Sequence, residues 1–318
     1  MTVSAYLLRR LAQLPVVILV ITVVVFALMR LTPGDPVIIM LGVYASPEAL
    51  ETARQEFNLD KPLPAQYLLW IGRVIRGDLG ISIRTREAVT RMIADRFPTS
   101  LTLAAAAVLV SLVVAIPLGI LAAYRRNTWI DNASMVAAMA GLSMPNFALA
   151  LLLIYVFALR LGWVPITGIG LVSVWENPLR AIPPYILPVV ALAVAQMAVM
   201  ARLMRASMLE VLSQEYIRVA RSKGLREPLV LIHHALRNAL IPIITVVAIQ
   251  FAYLVGSTIT IEFIFAIPGL GSVLINAVLN RDFPVIQGFT LFMACFFILS
   301  NLAADLVYLQ ADPRIKYT

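Results

Sequence analysis

An all-α protein that crosses a membrane six times is the fold class this sequence predicts, and three observations carry it. Hydrophobic residues make up 61% of the 318 residues and charged residues only 13%, about half of the ~25% usual in a soluble chain. Uncharged apolar runs recur at spanning length: a helix rises about 1.5 Å per residue and the hydrocarbon core is about 30 Å thick, so a span needs roughly 20 residues. Lys and Arg, finally, gather in alternate connections between those runs, as the positive-inside rule requires.

Six runs qualify, at residues 11–29, 97–124, 132–159, 181–201, 238–261 and 283–304. The first follows Arg9 and Arg10 as a secretory signal would. It is too long for one, continues into "MRLTPGDP" rather than a small-residue cleavage site, and precedes five more spans, so it reads as a retained anchor. The two longest runs imply tilt or interfacial turns. Residues 263–280 are also uncharged, but Pro268, Gly269 and Gly271 divide them into pieces too short to cross. Backbone freed by such a break is tolerated at membrane depth only in protein or along a cavity, so an external re-entrant or interfacial turn is expected there.

With the N-terminus inside, the cytoplasmic connections collect Arg9, Arg10, Arg125, Arg126, Arg202, Arg205, Arg218, Arg221, Lys223, Arg226, Arg237, Arg314 and Lys316, against Arg160, Arg180 and Arg281 in the opposite short loops. Both termini are therefore expected in the cytoplasm. The 30–96 loop is too long to vote on orientation and lies outside. Within it, "SPEALETARQEFNL" carries Ser46 and Glu48 as a helix start with Leu50, Ala53 and Phe57 at helical spacing, and "TREAVTRMIADRF" is amphipathic. An ordered external cap is predicted rather than a linker.

The net charge of +8 comes without a nucleic-acid recognition motif and is accounted for by topology. Cys295 is the single cysteine, so no internal disulfide or cysteine metal site can form. No GxxxxGK[ST], HExxH or GxSxG pattern occurs, and neither catalytic nor metal-binding residues are predicted. His233 and His234 are adjacent, about 100° apart on a helix, and read as interfacial polar residues near the headgroups. The spans hold little charge: Glu262 and Asp305 sit near span ends, with Gln196 and Gln250 farther in. Proton-coupled carriers keep ionisable groups at mid-membrane, so energy for transport is expected from outside the chain.

One polar stretch stands out, "EYIRVARSKGL" between the fourth and fifth spans. At about 100° per residue, Tyr216, Ala220 and Gly224 share one face with Ile217 alongside, while Arg218, Arg221 and Ser222 share the other. Gly224 is placed to end the helix in a left-handed cap and Pro228 to start the next. Pro242 lies just inside the fifth span, where it is expected to kink the helix by removing the bond to the Asn238 carbonyl. The bland alternative is a basic juxtamembrane loop held to anionic lipid, which would need neither the ordered small face nor the glycine stop.

"EYIRVARSKGLREPLVLIHHALRNALIP" resembles the EAA loop of ATP-binding-cassette importer permeases, with an acid, a nearby alanine, a glycine nine residues after the acid and a later Ile-Pro. "LLRRLAQLP", "LTPGDPV", "NLDKPLPAQY" with "GDLGISI", "EFIFAIPGLG", "RDFPVIQG" and "DPRIKY" resemble, in order, segments of the first permease subunit of the dipeptide, oligopeptide and nickel import family. Ile267 stands where relatives often carry an aromatic, and Tyr216 where other importers commonly have alanine.

The resemblance implies a type I importer fold: an N-terminal span (1–30), an extracytoplasmic cap (31–96), a five-helix type-1 transport domain (97–309) with its coupling loop at 204–238, and a cytoplasmic tail (310–318). It implies that Glu215 meets basic groups of a cytoplasmic ATPase, that Ala220 allows close approach, that Gly224 permits the bend, and that Tyr216, Arg218, Arg221 and Lys223 border the contact. It also implies a second, homologous permease chain, two ATPase subunits that carry ATP and Mg, an extracytoplasmic binding protein delivering substrate near Pro268, Gly269 and Gly271, and residence in the cytoplasmic membrane. This chain would bind no cofactor and no nucleic acid. A secondary carrier or channel, or a scaffold without transport, are the competing classes.

Overall fold

The computed structural model describes residues 3–31, 37–38, 45–56, 58–166 and 178–311. The "TPGDP" stretch, Phe57 and the tail carrying Arg314 and Lys316 lie outside them. The helices are α1 (Val3–Leu31), α2 (Pro47–Glu56), α3 (Leu63–Ile75), α4 (Val89–Tyr124), α5 (Trp129–Ser143), α6 (Asn146–Leu153), α7 (Pro178–Leu212), α8 (Glu215–Ser222), α9 (Glu227–Leu229), α10 (Leu236–Ile264), α11 (Leu270–Leu279) and α12 (Phe283–Ala311). A π-helical segment, Ile154–Arg160, continues α6, and another, Val230–Ala235, joins α9 to α10.

Among the described residues five helical stretches are long and apolar enough to cross a membrane: Ala12–Leu31, Val89–Tyr124, Ile182–Leu212, Glu227–Ile264 and Phe283–Leu306. A bent pair, Trp129–Ser143 with Asn146–Arg160, turned through 100°, makes a sixth if it is counted as one span. The 132–159 run was expected to cross as one span with tilt or an interfacial turn; the chain instead breaks inside it, at Pro145. Proline drives the preceding residue out of the helical region, and Met144 is extended at φ −94, ψ 122. Pro242, by contrast, lies within α10, which runs through it from Leu236 to Ile264. The uncharged 263–280 stretch does break, into the end of α10 and the ten residues of α11.

Two compact units divide the chain. One comprises residues 1–99 and 269–299. Here α3, which sequence periodicity had not singled out, packs on α1: Phe26 lies edge-on to Tyr67 with centroids 5.5 Å apart and 6.0 Å from Trp70, and the Tyr67 hydroxyl meets Thr22 Oγ1 at 2.9 Å. Helix α2 starts as expected, with Ser46 Oγ accepting from the Ala49 N–H at 3.2 Å, the bond that satisfies one of the orphan donors of a helix start. The start of α4 joins α11 and α12 through Val89, Ile93, Leu270, Ala277, Val285 and Phe289, all buried. Gly288 makes the close approach possible, since a Cβ there would stand 2.5 Å from Val89 Cγ1.

The other unit comprises residues 100–268 and 300–318. Its α4 and α7 cross at Gly119, where a Cβ would fall 2.5 Å from Met204 Cβ and 2.8 Å from the Ala201 carbonyl oxygen. Small residues let spans approach closely in a membrane, where lipid supplies no hydrophobic drive between them. The alanine-rich face of α4 turns partly inward, with Ala104 and Ala107 fully buried, while most of the small residues of α5 remain uncovered. The core of this unit gathers Ala115, Met200, Met204, Met208, Ile217, Ala220, Val230, Ala235, Ala239 and Ile243. It therefore ties α7, α8 and the α9–α10 run into one packed body.

Candidate coupling site

The 204–238 region is less a loop than a chain of helices. Helix α7 continues to Leu212, α8 begins at Glu215 and the α9–α10 run begins at Glu227, leaving only two short corners. The second corner is built by Gly224 at φ +77. Its N–H bonds to the Arg221 carbonyl at 2.9 Å and the next, from Leu225, to that of Ala220 at 3.4 Å, the paired bonds of a Schellman cap. Leu225 then packs on the core. Pro228 sits in the first turn of α9, where its missing N–H costs no helical bond. Arg221 closes the corner with Nη2 2.6 Å from Glu227 Oε1 and Nε 3.2 Å from Oε2.

Within α8 the faces differ from those the wheel suggested. Ile217 and Ala220, three residues apart, are the buried pair, at 0% and 7% exposure, and Tyr216 stands at 43%. The small Ala220 face thus packs against this chain's own Met204, Met208 and Val230 instead of facing outward. Gly224 falls off the wheel because its left-handed conformation ends the helix. Burying Ile217 contributes about 2 kcal/mol and locks α8 to its neighbours. Glu215 occupies the first helical turn and is exposed, the end where the helix dipole favours a negative charge. The outward face offers Arg218, Val219 and Ser222, with Lys223 at the cap. Tyr216 leans back to α10, its hydroxyl accepting from Asn238 Nδ2 at 2.7 Å.

Three charged contacts carry no role in the sequence reading. Asp131, 2% exposed, takes a bidentate pair from Arg205, Nε to Oδ1 at 2.5 Å and Nη2 to Oδ2 at 2.6 Å, plus the Asn127 N–H at 3.0 Å. It pins the start of α5 to the lower part of α7. Arg205 had been counted only as an orientation charge, and the acid in the first turn of α5 was the available signal. Glu227 is the second, six residues from Arg221. Asp282, in the "RDFP" stretch, is the third: Ser82 donates to it, as do the N–H groups of Ile83 and Arg84.

At the turn after residue 263, α10 ends in another paired cap. The Ala266 N–H bonds to the Phe263 carbonyl at 3.2 Å and that of Ile267 to Glu262 at 2.8 Å, with Ala266 left-handed at φ 51. Ile267 is fully buried, so it presents nothing to a ligand. Pro268 is exposed, Gly269 caps α11 and Gly271 is buried in its first turn. Glu262, near the end of the span, is fully buried and accepts from Thr258 Oγ1 at 2.7 Å. No group of three or more His, Cys, Asp or Glu placed to hold a metal occurs among the described residues.

A helical bundle with several membrane-spanning stretches, and a short helix cored between the ends of two of them, defines a class, a polytopic membrane protein. The chain belongs to the family described as binding-protein-dependent transport system inner membrane component, matched over residues 115–317, and residues 3–104 match that family's N-terminal component. It is thus a non-catalytic permease subunit of an ATP-binding-cassette importer. It is 42% identical over 314 residues, 99% of both chains, to a protein of Brucella abortus (strain 2308) named as a permease of a peptide transport system. To the glutathione transport system permease protein GsiC of Escherichia coli (strain K12) it is 40% identical over 312 residues, 98% of this chain and 99% of that one. The fold matches a chain of the MetNI methionine ABC transporter in an inward-facing conformation, with TM-score 0.53 and 18% identity over 70% of this chain and 96% of that one.

Proposed function

We propose that this subunit forms half of a pathway for short peptides or peptide-like solutes such as glutathione, and that α8 is the point where force enters it. The observation that carries the reading is the shared core: Ile217 and Ala220 of α8 pack with Met204 and Met208 of α7 and with Val230, Ala235 and Ala239 of the following run. A push on the outward face of α8 therefore moves the ends of two spans together. Glu215, Arg218 and Lys223 form the charged border of the contact with a cytoplasmic ATPase, Tyr216 ties the helix to α10, Arg221 stiffens the corner through Glu227, and Gly224 sets its angle. Ala220 acts from within, as a packing residue.

In this reading two ATPase subunits bind ATP and Mg, close on each other and drag the docked helices, a switch that works only if ATP favours one of two packed states. A second, homologous permease completes the pathway as a heterodimer, and both termini lie in the cytoplasm of a cell whose inner membrane holds the complex. A binding protein outside delivers substrate near Pro268, Gly269 and Gly271. Coupling is reciprocal, so the loaded binding protein raises ATP turnover. Reconstituted with its partners, the wild-type subunit is expected to support stimulated ATP hydrolysis, and Glu215→Lys or Gly224→Pro to abolish it with membrane insertion intact. Normal stimulation in both variants overturns the assignment.

A further inference from the structure

An open groove of ≈ 510 Å³ beside α8 is left without an occupant by the coupling reading. Its walls are Tyr216, His233, His234, Arg237, Asn238 and Ile241. Each of its polar side chains has a proton to donate: the Arg237 guanidinium, the Asn238 amide, the two imidazoles and the Tyr216 hydroxyl, whose oxygen already accepts from Asn238. No carboxylate lines it. That inventory suits an anion with several acceptor oxygens.

Three features narrow the choice of anion. The two histidines are neighbours in sequence, yet both face the groove, with ring centroids 6.4 Å apart. The wider turn of the π-helical Val230–Ala235 segment brings them round together, and such turns are rare and concentrated at functional sites. The groove also grades from polar to apolar: Ile241 lies one turn beyond Arg237 on the span, and Ile244 beside it is 44% exposed. His233 is also a wall of a second groove of ≈ 620 Å³ at the elbow corner, lined by Leu225, Arg226, Leu229 and the 62% exposed Ile232, so the apolar run toward Ile241 is the side open to hydrocarbon. A charged head with hydrocarbon behind it fits this grading, and basic pockets at the ends of spans are where lipid headgroups bind.

We propose that the groove holds the phosphate of an anionic phospholipid, with Arg237 and the two histidines on the phosphate oxygens and an acyl chain along Ile241 and Ile244. The inference rests on the placement of α10 as a span and not on ATPase docking. Tyr216 belongs to α8 and Asn238 to α10, so a bound headgroup touches both sides of the elbow and sets how stiffly one follows the other.

The test uses the assembled transporter in nanodiscs of phosphatidylcholine and phosphatidylglycerol in equal parts, with native mass spectrometry reading which lipid stays bound on release. The wild-type complex retains phosphatidylglycerol preferentially. Arg237→Gln or His234→Gln reduces the preference about tenfold, the effect of one charge-assisted hydrogen bond, and Arg237→Lys keeps most of it. Excess inorganic phosphate displaces little of the lipid, because the acyl chain holds it. Complete displacement by phosphate overturns the lipid assignment in favour of a soluble phosphate ligand. Unchanged retention in both neutral variants also overturns it, whether or not the ATPase subunits dissociate, dissociation being the mark of a protein contact. Retention is read without ATP, so its outcome stands apart from that of the coupling experiment.

Discussion

The hydroxyl of Ser82 donates to Oδ2 of Asp282 at 2.6 Å across 200 residues of chain, and the same carboxylate accepts the N–H groups of Ile83 at 3.2 Å and Arg84 at 3.4 Å. Asp282 is 5% exposed, so the bond is sheltered, and it holds the 82–85 turn against the α11–α12 junction. Asp282→Ala leaves three donors without their acceptor, at a cost of about 2 to 3 kcal/mol. Limited proteolysis of the 78–88 segment is expected to accelerate in this variant, with Ser82→Ala giving a smaller increase. Equal protease resistance in Asp282→Ala and the parent would remove the anchoring role.

Asp131 and Arg205 form another sheltered tie. Arg205 is 24% exposed at the side chain and Asp131 2%, so Asp131→Asn strands a guanidinium that water reaches poorly. Breaking such a pair from one side costs about 3 kcal/mol. Thermal unfolding of the purified subunit should shift down accordingly. A midpoint identical to that of the parent would show that solvent already screens the pair.

At the α4–α7 crossing the prediction concerns space. Gly119→Ala puts a methyl 2.5 Å from Met204 Cβ and 2.8 Å from a backbone oxygen, neither of which is the yielding end of a side chain. Overpacking of this kind costs about 1 to 3 kcal/mol. Met204→Ala removes the 2.8 Å contact with Cγ but leaves those with Cβ and the Ala201 carbonyl, so it is expected not to restore the parent's stability. Recovery of the parent's stability in the double variant would place the constraint in the Met204 side chain.

Two paired helix caps give opposite expectations. Gly224→Ala places a Cβ in open space but at φ +77, a strain of about 1 kcal/mol. Ala266 already bears that strain at φ 51, so Ala266→Gly should raise stability by a similar amount. Denaturation midpoints of the two variants are expected to move in opposite directions, and a shared direction would contradict the cap geometry.

Much of this was legible because long apolar runs leave few choices. Five spans, the break after 263, the Gly224 stop, the Pro228 start and the Ser46 cap all follow from local chemistry that neighbours cannot easily override. The bend at Pro145 was legible too, but uniform apolarity across 132–159 masked it. Helix α3 was hidden because its start lacks a polar cap, Pro62 standing at the N-cap where a capping side chain would. The inward turn of Ala220 was unreadable from a wheel, which shows which residues share a face and not what that face meets. The Asp131–Arg205 and Ser82–Asp282 ties join residues 74 and 200 positions apart, and only tertiary structure brings such partners together.

The 100° bend between Ser143 and Asn146 falls near the middle of the uncharged 132–159 run. The last carbonyls of one half-helix and the first amides of the other cannot be left facing hydrocarbon, where every unmet peptide group is expensive. Ser143 Oγ reaches back to the Met139 carbonyl at 2.9 Å, which the helix already pairs, so it relieves none of them. Wherever that break meets hydrocarbon, its free carbonyls and amides call for water or for a companion protein.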